Sequence, residues 1–238
     1  MRRRSLLSLI AAAAALPVLP ALAQDDTSSA SDAPAPQDLM GSGPQPAQTT
    51  DAPRALTPDE ITLVNQISAH NTAITTEVGK FVQIDTRGAR SEGVFYLQRP
   101  GKIRFRYAPP SHEEIISIGQ GFYVIDREEK TQYAYPQDKV PLRQFLEEKI
   151  DLLNAGLVAI AQSANYVSLS LQDDTPAGTV RIALVFDKTS LDLVQWVLTD
   201  PTGVSLTFSL FDVQQGVPIP ATYFYLNIGD YNQVQGNG

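Results

Sequence analysis

The chain has 238 residues, two histidines, no cysteine, and 26 acidic against 18 basic side chains, a formal net charge of −8. That length admits one large domain or two ordinary ones. The missing thiols exclude disulfides and a cysteine-linked lipid anchor, and the negative charge argues against nucleic acid and against general adhesion to an anionic membrane.

Residues 1–23 begin with Arg2, Arg3 and Arg4, continue through an apolar run at 6–18 and close with Ala21-Leu22-Ala23. A basic start, a short apolar centre and a small-x-small end make a cleavable export signal, cut after Ala23. The run is too short for a membrane anchor and is broken by Pro17 and Pro20. Arg3-Arg4 before Ser5-Leu6-Leu7 is also loosely similar to a twin-arginine signal. Cleavage would leave a soluble chain with 15 basic and 26 acidic residues, a charge near −11. Residues 24–55 hold only Leu39 and Met40 as large aliphatic side chains among Pro, Ala, Ser, Asp and Gln. Such a segment buries too little apolar area to offset its ordering entropy, so it is expected to be a disordered tether. One folded domain is expected at 56–238.

Thr57-Pro58-Asp59-Glu60 is a capping box with proline at the first helical position. Ile61, Val64 and Ile67 give the helix an apolar stripe, and His70-Asn71 should end it, with His70 a surface or capping residue. Strands are expected at 73–86, 92–99, 103–107, 114–118, 122–126 and 131–135, separated by turn chemistry such as Arg87-Gly88 and Pro100-Gly101. Links this short make neighbours antiparallel, because a parallel pair needs a long crossover.

Within this meander the hairpin at 93–110 is distinctive. Phe95, Leu97 and Arg99 share one face of the first strand, so an arginine stands on an apolar face and must find water or acceptors. In the second strand Ile103, Phe105 and Tyr107 alternate with Arg104 and Arg106. With Lys102, these arginines are the one basic concentration, either plainly solvated or a docking patch for an acidic partner. His112-Glu113-Glu114 reads as a solvated loop cluster, and so do the pairs Glu128-Glu129, Glu147-Glu148 and Asp173-Asp174.

At 141–153 the period changes: Leu142, Phe145, Leu146, Ile150 and Leu153 form a helical stripe, and a second apolar segment follows at 152–164. An insert of this size is expected to cover an exposed sheet face. Strands resume at 166–172, 179–187, 193–200, 204–211 and 221–228, making about eleven in all. Val180, Ile182, Leu184 and Phe186 form one apolar face, and Val204, Leu206, Phe208 and Leu210 another. No nucleophile elbow, zinc motif or phosphate-binding glycine loop occurs, so neither catalytic residues nor a metal or other cofactor are expected, and the chain reads as a non-enzyme.

The Arg99-Pro100 strand pair, Gly93 before it, Pro141-Leu142, Trp196 ahead of Asp200-x-x-Gly203, and Phe224 together resemble the LolA family of periplasmic outer-membrane lipoprotein carriers. The resemblance implies a mainly β (α+β) domain, an unclosed antiparallel half-barrel with a helical lid over its apolar concave face. The lid would be 141–164 with the capped helix, carrying Leu142, Phe145, Leu146 and Ile150, and Arg99 would latch it through backbone hydrogen bonds. The cargo cavity would be lined by Phe95, Leu97, Ile103, Phe105 and Tyr107, with Ile182, Leu184, Leu206 and Phe208 from the later strands. The implied partners are acylated lipoproteins as cargo, an inner-membrane lipoprotein-releasing ABC transporter and an outer-membrane receptor, served by a periplasmic monomer. Ser117-Ile118-Gly119 departs from the Ser-Asp-Gly often found there in the family. A lipid- or lipoprotein-sensing regulatory module built on the same half-barrel is the rival reading.

Overall fold

The computed structural model describes residues 55–119, 121–175 and 178–234, so the expected signal peptide and nearly all of the tether lie outside the described residues. The first described element is α1 (Pro58–Ala73), started by the predicted capping box: Glu60 N–H donates to Thr57 Oγ1 (3.2 Å) and Thr57 N–H to Glu60 Oε2 (2.8 Å). It runs past His70-Asn71 because the Asn71 amide donates to the Ile67 carbonyl within the helix (2.9 Å) and to the Leu191 carbonyl outside it (3.0 Å).

Period-two alternation then produces β1 (Thr76–Asp85), β2 (Arg90–Gln98), β3 (Lys102–Tyr107), β4 (Glu113–Ile118), β5 (Gly121–Asp126) and β6 (Thr131–Pro136). After the insert come β7 (Leu157–Gln162), β8 (Tyr166–Thr175), β9 (Gly178–Asp187), β10 (Leu193–Thr199), β11 (Ser205–Gln215) and the short β12 (Asn232–Gln233). All twelve form one sheet in the order β12-β6-β5-β4-β3-β2-β1-β11-β10-β9-β8-β7. Every pairing is antiparallel except β12 beside β6, and β7 and β12 each have one neighbour and a free outer edge, so the sheet does not close. This is the expected unclosed half-barrel. The halves join where β1 pairs with β11, with Phe81 opposite Leu210 and Gln83 opposite Phe208. Gly93 belongs to this packing: a Cβ there would lie 2.8 Å from the Phe81 ring and closer still to the Arg106 carbonyl.

Two expected elements differ. The insert is not a helical lid: residues 141–153 contain only a 3₁₀ turn (Arg143–Leu146), entered through Leu142 at φ +64°, and 152–164 supplies β7. Residues 141–153 instead form an irregular strap, whose amides meet partners outside their own segment. Ile150 N–H donates to Thr72 Oγ1 (3.0 Å) and Leu152 N–H to Ser68 Oγ (3.2 Å), both on α1, so these amides are satisfied across the chain instead of by their own i−4 carbonyls. The spacing of Phe145, Leu146 and Ile150 still buries all three. The expected strand at 221–228 is likewise a 3₁₀ turn (Ala221–Phe224). Its segment lies on the outer face, where Tyr223 packs on Tyr96 (ring centroids 4.6 Å) and Lys102 reaches over Phe224 (5.9 Å).

Those contacts give the protein two apolar cores. Inside, Phe81, Phe105, Trp196 and Phe208 interlock, with Trp196 stacked on Phe208 at 4.9 Å and Phe81 edge-on to Phe105 at 5.2 Å. Outside, Ile116 and Ile125 are fully buried on the opposite faces of β4 and β5, where Phe224 is also buried.

Candidate functional site

The inner faces of β1–β5 and of β10–β11 surround a cavity of about 160 Å³, roofed by the strap. Alternation sets its walls. Phe95 and Leu97 come from β2, Ile103, Phe105 and Tyr107 from β3, and Leu206 and Phe208 from β11. Leu142, Phe145 and Leu146 of the strap form part of the roof. Ile150 does not reach the cavity; it is buried beside α1. Ile182 and Leu184 of β9 also lie apart from it, buried in the core cluster that includes Val64 and Ile67 of α1. Here the sheet's concave face is filled by the protein's own side chains, so an apolar strand face on β9 yields core instead of cavity.

Sequence reasoning missed several lining residues. Ile115 and Val124 stand in register with Phe105 across β3, β4 and β5, and Trp196 lies opposite Phe208. Once strand order is known, parity alone would have found them.

Four polar side chains enter the otherwise apolar lining: Glu77, Gln83, Arg99 and Glu113. Arg99 has only 5% of its side chain exposed. Its Nε donates to the Phe145 carbonyl in the strap (2.7 Å), and a second guanidinium nitrogen donates to the Ile74 carbonyl at the C-terminal cap of α1. The Glu77 carboxylate lies 4.0 Å away. One cation therefore ties the strap, the end of α1 and β1 together. Burial raises the Glu77 pKa, and the Arg99 charge opposes that rise.

The cluster expected to be a solvated loop, His112-Glu113-Glu114, is divided by the pleat among three environments. His112 pairs with Glu128 (3.3 Å), Glu113 lines the cavity, and Glu114 is fully buried on the outer side. Burial and the neighbouring Asp126 push the Glu113 carboxyl up to about 7. Glu114 is held by Arg104, with Arg127 at 3.7 Å and Arg106 at 3.9 Å. Arg104 also donates to the Tyr223 carbonyl (2.6 Å). Of the basic patch, Lys102 and Arg104 thus seat the C-terminal segment, while Arg106 faces Glu114 with about half of its side chain exposed. Asp173, expected in solvent, pairs with Arg143 and pins the strap to β8. His70, expected to be a plain surface residue, meets Asp192 at 2.7 Å.

Strands β1–β11, the strap and the outer 3₁₀ turn all fall within residues 72–227, which match the family model for the outer membrane lipoprotein carrier protein LolA. The chain belongs to the LolA family. Comparison with curated protein sequences finds no match. Among solved structures, this LolA-family chain is similar to the MucA/MucB complex of Pseudomonas aeruginosa, at 14% identity and TM-score 0.40. That match covers 73% of this chain and 62% of the other, so the chain spans less than two thirds of the protein it matches there. It is also similar to a LolA superfamily protein of Nitrosomonas europaea (9% identity, TM-score 0.37, covering 69% of this chain and 98% of that one). A putative outer membrane lipoprotein-sorting protein domain from Vibrio parahaemolyticus matches at 9% identity and TM-score 0.43, covering 71% and 97% of the two chains. The family match starts in the last turn of α1 and stops before β12, so the start of that helix and the last strand lie outside it. Among the described residues, no helix is long and apolar enough to cross a membrane.

Proposed function

We propose that this chain is a periplasmic carrier that takes acylated lipoproteins from an inner-membrane ABC transporter and delivers them to an outer-membrane receptor. The observation that carries the reading is an apolar cavity whose roof is held by one buried arginine. An acyl chain exposes roughly 0.8 kcal/mol of unfavourable transfer free energy per methylene, so a chain of about 15 needs an escort costing it less than on the order of 12 kcal/mol. The aromatic and aliphatic walls supply that environment. The cavity of about 160 Å³ is smaller than the 300–1,000 Å³ usual for ligand sites, so loading requires the strap to lift. Arg99 then sets the balance: its two backbone hydrogen bonds hold the strap to the end of α1 in the closed state, and closure expels cargo.

Mass spectrometry of what co-purifies with the protein from its native compartment tests this. Intact acylated proteins are the expected finding. Free lipid alone would sink the lipoprotein-carrier reading and favour a lipid-sensing regulatory module with the same half-barrel.

A further inference from the structure

The two ends of the cavity are chemically different, and the end away from Arg99 has no partner for its charge. Glu77 and Arg99 mark one end. Gln83 stands six residues further along β1, roughly 20 Å away at strand rise. There Tyr107 donates its hydroxyl proton to Gln83 Oε1, which leaves the phenol oxygen as an acceptor. Glu113 lies on the neighbouring strand, because Arg106 and Glu114 pair directly and the residues flanking them, Tyr107 and Glu113, share the inner face. Asp126 is its cross-strand partner on β5.

The Glu113 carboxyl makes no hydrogen bond or ion pair with any described residue. Arg127, which follows Asp126 in the chain, directs its bonds to the His112 and Tyr107 carbonyls (3.1 and 3.4 Å) and its charge to Glu114, and Arg106 likewise faces Glu114 at 3.9 Å. Asp126 Oδ1 accepts the Glu128 and Glu129 amides (2.8 and 2.9 Å), so it adds negative charge without neutralising Glu113. An acyl chain alone gives a half-buried carboxylate nothing in return for its lost hydration.

We infer that Glu113, with Tyr107, forms a head-group subsite that selects amphiphiles whose acyl chain is joined to a primary ammonium and rejects anionic heads. This rests on the acyl-binding reading above and adds the chemistry of the cargo's polar end. Both groups present acceptors, an ammonium carries three donors and no acceptor, and a carboxylate or phosphate head would meet like charge. An ammonium at this position occurs in two sources, the free α-amino group of a diacylated amino-terminal cysteine and the head of an amino-phospholipid.

The test is displacement of a neutral fluorescent naphthylamine probe at about pH 8 by hexadecylamine and by hexadecanoate, which share a chain length. Wild type is expected to prefer the amine by about tenfold or more, and Glu113→Gln to bind both alike. Equal binding by wild type overturns the subsite, as does a preference that survives in Glu113→Gln; the wild-type comparison stands even if the variant folds poorly. Failure of both amphiphiles to displace the probe would instead sink the acyl-cavity reading itself. The source is separated by two matched pairs: a diacylglyceryl-cysteinyl peptide with a free or acetylated amino terminus, and phosphatidylethanolamine against its N-acetyl derivative. Loss of affinity on acetylation identifies the natural class of head, and no loss in either pair counts against the ammonium.

Discussion

Arg99 shows how much one side chain can decide when burial leaves it no water. Its guanidinium is bound to carbonyls of the strap and of the end of α1, so both contacts exist together only while the strap is down. Replacing it with leucine removes charge-assisted bonds of about 1.5–3 kcal/mol each and adds apolar wall. If about 2 kcal/mol of closed-state preference disappears, apparent cargo affinity should rise by up to roughly thirtyfold. Arg99→Leu is therefore expected to load normally and to stall in transfer to the receptor. A variant that loads poorly yet transfers all it holds would make Arg99 a cargo ligand instead. Glu113 carries a second residue-scale prediction. Its folded pKa lies near 7, above the ordinary carboxyl value of 4.5. Below 4.5 both states are protonated; between 4.5 and 7 the unfolded state binds fewer protons, so stability falls as pH rises and then levels off. Glu113→Gln removes this fall, by on the order of 3 kcal/mol at most. Its melting temperature should exceed that of wild type at pH 8 and match it near pH 4; equal offsets at both would show that the carboxyl titrates normally.

At the scale of elements, the strap and the C-terminal segment are both irregular pieces that cover a sheet face, one inside and one outside. The strap is held by α1 hydroxyls, by Arg99 and by the Arg143–Asp173 pair, connections that can be released without unfolding a strand. The outer segment is tied more permanently, through buried Phe224 and the hydrogen bond that Arg104 donates to the Tyr223 carbonyl. Phe224→Ala should cost about 3 kcal/mol, the lower end for a buried phenylalanine, and lower the melting temperature by roughly 6–12 °C. Probe binding below the transition should stay at the wild-type level, since Phe224 does not line the cavity. Lost binding by a folded variant would show that the outer core shapes the inner one. The basic residues of β3 belong to the same account: Lys102 and Arg104 are engaged by this segment, and Arg106, about half exposed, faces Glu114 instead.

For the whole molecule, the twelve strands form one sheet whose centre is the β1–β11 pair, so residues 76–85 and 205–215, far apart in sequence, are hydrogen-bonded neighbours. Stability is expected to reside in this sheet and its two cores. Deleting residues 24–54, which carry almost no large apolar side chain, should shift the melting temperature by less than about 2 °C. A larger drop in thermal unfolding would place part of the folded domain inside that stretch.

Local physics made much of this legible in the sequence. The capping box placed α1, because its hydrogen bonds span three residues. Alternation placed ten of the twelve strands, because side-chain direction reverses at every residue. Arg99 stood out because an arginine among Phe95 and Leu97 must have acceptors wherever it is buried. What sequence periodicity could not decide was which partner each face meets. The strap has a helical stripe yet is not a helix, since α1 hydroxyls take its amides. Leu184 and Leu206 look alike as strand residues and both are buried in the core, yet only Leu206 also lines the cavity. Glu113 and Glu114 are adjacent acids, and only the position of β4, between a cavity and a buried outer face, sends one to the cavity wall and the other to three arginines. Burial and pairing are properties of the assembled sheet, created by contacts far apart in sequence, and so only the tertiary structure determines them.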